Sequence, residues 1–179
     1  LPIYAPRPDP AKLAYDLNEA LSAVVPLQAR APEDAFSASY LGTEREGNAV
    51  LISEEGLLLT IGYLINECDL ITVGTRIGGV AEAHIVAYDY ETGFGLLRAI
   101  DPIRVRPMVI GNSAKVKSRD AVTIASFGGP RMAAPAFVVS KREFAGACQF
   151  DRHVTSPSSA PRRAGSCSLW SSPPRSEEH

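Results

Sequence analysis

Few residues in this sequence are of types that do chemistry, and each must be weighed against the element carrying it. Asp89 and Glu91 stand two apart, and two carboxylates can divide acid and base roles in hydrolysis. They sit, however, in Asp89-Tyr90-Glu91-Thr92, a polar segment whose ordinary role is to end a strand and reverse the chain. His84 alternates with Ala83 and Ile85, which makes it a residue facing solvent or satisfied within a strand rather than a ligand. Cys68 follows an apolar run with no His or Lys nearby and is expected to be a small packing residue. Cys68, Cys148 and Cys167 match neither a zinc spacing nor a disulfide framework and are read as free thiols. The glycines of 74–79 lack a Gly-Lys-Ser/Thr sequence and a following helix, so they mark a hairpin rather than a phosphate loop. No metal and no cofactor are expected.

The elements that must position any site are mostly strands. The chain has 179 residues, 45% hydrophobic and 21% charged, with a net charge of -2. That is the balance of a globular protein, with no field to attract phosphate backbones or anionic lipid, so nucleic acid is not an expected partner. No apolar run approaches the roughly 20 residues of a membrane helix. Four prolines among residues 1–10 predict an extended arm. Asp9 as N-cap, Pro10 at the first helical position and Leu13, Leu17, Leu21, Val24 and Val25 on one face predict a helix ended by Pro26. From about Val24 onward the period changes to short apolar runs between turn signals, the pattern of a barrel or sandwich. The expected strands are Val24–Ala29, Ala49–Ser53, Leu57–Ile61, Leu70–Thr75, Val80–Tyr88, Gly95–Ala99, Met108–Ile110, Ala121–Ser126 and Phe137–Lys141. Tight hairpins are expected at Glu54-Glu55-Gly56 and at Arg76-Ile77-Gly78-Gly79. The last 33 residues contain 8 Ser, 4 Pro and 4 Arg, too little apolar surface to offset the entropy of ordering them. A disordered tail is expected over 147–179.

Taken in order, Gly47-Asn48-Ala49-Val50-Leu51-Ile52, Glu55-Gly56-Leu57-Leu58-Leu59-Thr60, Asp69-Leu70-Ile71-Thr72-Val73, Ala81-Glu82-Ala83-His84-Ile85-Val86 and Phe94-Gly95-Leu96-Leu97-Arg98 resemble the first barrel of trypsin-like serine proteases of the HtrA (DegP-like) branch. Val109-Ile110-Gly111-Asn112-Ser113, Ala121-Val122-Thr123-Ile124-Ala125 and Phe137-Val138-Val139-Ser140 resemble the start of the second barrel. The resemblance covers residues 20–143. It implies a mainly β fold: an arm and helix over 1–26, a first barrel over 27–105, an incomplete second barrel over 106–146, and the tail. It also implies a bacterial, extracytoplasmic (periplasmic) setting.

The family's catalytic residues are where this sequence departs. The position of the general-base His, three residues after Thr60, holds Tyr63, a phenol whose pKa of about 10 leaves it protonated at neutral pH. The position of the Asp that orients the His holds Gly93, which has no side chain to accept a hydrogen bond. The Gly-x-Ser-Gly-Gly loop that carries the nucleophile and the oxyanion amides has no counterpart. Ser113 lacks the following glycines and precedes the strands it would have to follow, so it is read as a turn residue. The expected protein is therefore a trypsin-like pseudoprotease, binding peptides or a protein partner. Two alternatives are an active serine endopeptidase whose catalytic residues lie elsewhere and an unrelated β-barrel binding module. An unfinished second barrel would expose an edge for strand addition or oligomerisation. The abrupt change near residue 146 is what a truncation or shifted reading frame would produce, which translation of the other two frames downstream would test.

Overall fold

A computed structural model describes residues 7–74 and 78–141 and, as backbone only, 154–155. Residues 1–6 of the arm expected over 1–10, residues 76–77 of the hairpin expected at Arg76-Ile77-Gly78-Gly79, and most of 147–179 lie outside the described residues. Six strands close into an antiparallel barrel: β1 (Val24–Arg30), β2 (Glu44–Leu51), β3 (Leu57–Ile61), β4 (Leu70–Gly74), β5 (Val80–Tyr88) and β6 (Phe94–Ala99), in the spatial order β1-β2-β3-β6-β5-β4. Closure comes from β1, which pairs with β2 through Val24↔Val50 to Arg30↔Glu44 and with β4 through Leu27↔Val73 to Arg30↔Leu70.

Alternation puts one side chain in two inside. The interior holds Val25, Leu27 and Ala29 from β1, Ala49 and Leu51 from β2, Leu58 from β3, Ile71 and Val73 from β4, Ala81 and Ala83 from β5, and Leu97 and Ala99 from β6. Small residues recur among large ones, as the narrow lumen of a six-stranded barrel requires. Leu64 and Ile65, from the turn after β3, and Ile103, after β6, join the same core.

The expected helix over residues 10–25 is corrected. A single 3₁₀ turn spans Pro10–Lys12 with Asp9 as its cap, and the helix proper, α1, is Leu17–Ser22 with the Asp16 side chain accepting from the Glu19 amide at 3.0 Å. Val24 and Val25 already belong to β1, where they pair with Val50 and Ala49 and Val25 enters the barrel core, which outweighs the helical spacing they share with Leu17 and Leu21. Pro26 is tolerated in a barrel strand because its nitrogen faces the β4 side, where the ladder begins only at Leu27. A second short helix, α2 (Ala38–Leu41), precedes β2. Met108–Ile110 is also corrected: it forms no strand, and only the Met108 amide bonds back to the barrel, at 2.8 Å to Leu51 O.

The second sheet contains β7 (Ala121–Ala125), β8 (Ala133–Val138) and β9 (Val154–Thr155) in that order. Its attachment to the barrel is partly polar. The Asn48 side chain of β2, buried within the barrel–sheet junction, accepts from the Phe127 amide at 3.0 Å and donates to Ser126 Oγ at 3.2 Å. Helix α1 supplies the apolar part, with Leu17 and Leu21 packed on Ala133 and flanked by Leu13 and Ala125. Among the described residues no helix is long and apolar enough to cross a membrane. Replacing Asn48 by Ala leaves the Phe127 amide without its acceptor. The expected cost is about 1–3 kcal/mol, with faster amide exchange at Phe127 and in β7 and β8 than in β1–β6, measured by hydrogen exchange.

Candidate functional site

The turn that carries Tyr63 and the turn that carries Gly93 meet at one corner of the barrel. After β3 the backbone makes a 3₁₀ turn, Gly62–Leu64, that carries Tyr63. After β5 a turn held by Asp89 leads into β6. The Gly62 amide donates to the Gly93 carbonyl at 2.7 Å, binding the first turn to the second. Gly93 has φ 72 and its own amide donates to Asp89 O at 2.7 Å, so a residue able to take a left-handed conformation is required there.

The corner is aromatic rather than ionic. A Cβ on Gly62 would lie 2.3 Å from the Tyr88 ring, which therefore lies directly on the backbone of the turn. Tyr88 also packs against Tyr90, with ring centroids 4.3 Å apart. Tyr63 and Tyr88 are half-buried against the barrel core. Asp89 is occupied with its own turn, one carboxylate oxygen accepting from the Glu91 amide at 3.0 Å and the other from Thr92 Oγ1 at 2.6 Å. Glu91 is exposed.

A buried cation braces this turn from behind, and sequence reasoning did not find it. Arg45, on β2, is only 5% exposed. Its guanidinium donates to Tyr63 O at 2.9 Å, Asn66 O at 2.7 Å, Gly42 O at 3.1 Å and Ser37 Oγ at 2.8 Å. Four acceptors replace the water that the fork loses on burial. Ser37 passes the network on. Its amide donates to the Glu67 carboxylate at 2.8 Å, so Glu67 satisfies the start of α2 in place of the cap's own side chain. The Ser37 hydroxyl hydrogen bond holds the Glu67 carboxyl below its ordinary value of 4.5, helped by the Ser37 and Phe36 amides and the Arg45 charge and opposed by desolvation. The available signal was the inward register of Arg45 between Glu44 and Glu46, both of which face out and meet Arg30 and Gln28 across the ladder.

The remaining candidates are separate from the corner in role. Ser113 opens a 3₁₀ turn, Ser113–Lys115, capped by Asn112, and its carbonyl accepts from Lys141 Nζ at 2.9 Å. His84 is exposed on β5 opposite Arg98 of β6. Cys68 is a free thiol that donates to Leu64 O at 3.4 Å, and desolvation by burial raises its pKa, which favours the unreactive thiol form. Among the described residues no cluster of His, Cys, Asp and Glu has the arrangement of a metal site.

Residues 47–168 match the model of the trypsin-like peptidase domain. The chain belongs to that family. Among solved structures it is similar to the HtrA-type protease AlgW with tripeptide, at 25% identity and a TM-score of 0.56, over 69% of this chain and 38% of that one. A variant of AlgW with decapeptide gives 24% identity and a TM-score of 0.53 over 69% of this chain and 44% of that one, a likeness of fold. The chain thus spans less than half the length of these structures. No match was found among curated protein sequences. The match to the trypsin-like domain removes the alternative of an unrelated β-barrel module, and its end at residue 168 lies beyond the expected limit of the second barrel at 146.

Two measurements check the bracing network. Arg45→Met strips four acceptors of their donor, so unfolding in urea is expected to show a loss of about 2–4 kcal/mol. Glu67→Gln tests the sign of the carboxylate's contribution. A carboxyl whose pKa is lower in the folded chain stabilises the fold above its unfolded value and loses that contribution as pH falls through the folded value. The stability of the natural chain is therefore expected to drop on acidification from just above pH 4.5 downward, and Glu67→Gln to flatten that part of the profile.

Proposed function

We propose that this trypsin-like chain of the HtrA branch has no working triad and acts by binding an extended peptide or a protein partner rather than by cleaving one. The observation that carries it is the corner at which the Gly62 amide meets the Gly93 carbonyl at 2.7 Å. The resemblance expects a general base and its orienting acid at Tyr63 and Gly93. A phenol protonated at neutral pH does not efficiently take a serine's proton, and glycine cannot orient or stabilise an imidazolium. Asp89, the nearest carboxylate in sequence to Gly93, already holds its own turn with both oxygens. Ser113 is placed in a capped turn and lacks the glycine amides of an oxyanion hole.

Binding suits what the fold retains. The trypsin-like relatives named above include forms with a tripeptide and with a decapeptide. In this chain the outer strand of the second sheet offers a backbone edge for strand addition, in which main-chain bonds supply affinity and alternate side chains supply selectivity. The division into a first barrel over 27–105 and a partial second one over 106–146 is part of the same proposal, as is an extracytoplasmic location.

A fluorophosphonate probe and a casein digest test the loss of catalysis. The expected outcome is no labelled serine and no cleavage. Covalent labelling of any serine in the folded chain overturns the inactive assignment. Binding is checked by fluorescence anisotropy of a labelled apolar decapeptide, expected to rise saturably with protein and to fall back on addition of unlabelled peptide.

A further inference from the structure

Strand β7 is one of the two outer strands of the second sheet, the other being β9. The backbone bonds that flank it, Ser126 N to Met132 O at 3.1 Å and Val138 N to Asp120 O at 3.0 Å, fix which of its groups are already used. Antiparallel ladders alternate, so Val122 and Ile124 turn their amides and carbonyls toward β8, whereas Ala121, Thr123 and Ala125 turn theirs away. Among the described residues no strand pairs with that outward side. Pro135, opposite Thr123, agrees with this alternation, since its missing amide falls on the side of β8 away from β7.

The sequence of this strand, Ala121-Val122-Thr123-Ile124-Ala125, reads nearly the same in both directions about Thr123 and carries no charge. Laid antiparallel against itself it sets Thr123 opposite Thr123, Ala121 opposite Ala125 and Val122 opposite Ile124. Threonine pairs and β-branched pairs are favourable cross-strand neighbours. Parity fits as well, because the outward-facing residues are the ones that would exchange backbone bonds in this register. A shift by one residue sets an outward group against one already bonded to β8. A shift by two brings up Arg119, with φ 73, or Phe127, both outside the strand.

We propose that the β7 edge is a homodimer interface, with a second copy of this chain adding its own β7 antiparallel across a two-fold axis at Thr123. The proposal rests on the binding role assigned above to this edge and specifies the partner. A two-fold axis makes the contact close on itself rather than propagate.

Light scattering on the full chain across a concentration series is expected to give a dimer. Thr123→Pro removes an outward amide without touching the bonds to β8, and Thr123→Asp sets like charges on the axis, so both are expected to be monomers with unchanged circular dichroism. Register is read by cross-linking with Cys68, Cys148 and Cys167 changed to Ser. Hydrogen-bonded pairs hold Cα atoms about 5.5 Å apart, within the span of a disulfide, so Thr123→Cys chains are expected to cross-link under mild oxidation. Val122→Cys chains are not expected to do so alone but should link to Ile124→Cys chains. If the Pro and Asp variants do not fold, the mass of the natural chain and the cysteine pattern decide. A monomer at every concentration overturns the proposal, as does cross-linking of Val122→Cys as efficient as that of Thr123→Cys. A monomer that binds the decapeptide overturns the dimer and leaves the peptide-binding role intact, whereas a β7 dimer that takes up no peptide supports the dimer and narrows the binding role to a protein partner.

Discussion

The pairing of β1 with β4 is the constraint on which the rest of the molecule depends. It joins the first strand of the barrel to the fourth and turns an open sheet into one with no lateral edge. Closure gives Leu27, Leu51, Leu58, Val73 and Leu97 a common interior, each essentially inaccessible to solvent. It also brings the Arg30 end of β1 beside Asp69, whose amide donates to Arg30 O at 3.0 Å, so the segment from Gly62 to Asp69 is bounded by strands at both ends. The turn that carries Tyr63 is therefore set by the barrel and not by its own short sequence.

Within that boundary the turn is fixed by one buried cation. Arg45 offers its guanidinium to the carbonyls of Tyr63, Asn66 and Gly42 and to the Ser37 hydroxyl. These acceptors lie in two segments outside the strands, 37–42 and 63–66, which the fork ties together. The groups that hold the turn are thus distinct from the Tyr63 side chain that it carries.

The second sheet obeys the opposite condition. It is fastened to the barrel through Asn48 and through the underside of α1, but its outer strand keeps backbone groups directed away from its own ladder. A closed sheet satisfies itself, whereas a strand at an edge presents donors and acceptors to whatever extended chain reaches it. The proposed binding role falls to this half of the molecule for that reason.

Most of the strands were legible in the sequence from short apolar runs between turn signals, with Leu57–Ile61 and Val80–Tyr88 at the expected bounds, whereas Met108–Ile110 forms none and the strand expected at Phe137–Lys141 runs over Ala133–Val138. The resemblance to trypsin-like proteases directed attention to Tyr63 and Gly93, whose turns the structure places side by side. The helix over residues 10–25 was misread because Val24 and Val25 have helical spacing to Leu17 and Leu21, and only barrel closure makes their burial in β1 the stronger demand. The roles of Arg45 and Asn48 were invisible for a related reason: a charged or amide side chain in a strand carries no mark of which buried acceptor it will find. Sequence alone determined which residues are apolar and where the chain turns, and that a phenol stands at Tyr63 and no side chain at Gly93. Only the tertiary structure decided that Gly62 and Gly93 meet, that Arg45 holds the turn between them, and that β7 keeps an outward edge, because hydrogen-bond partners distant in sequence exist only once the strands have closed.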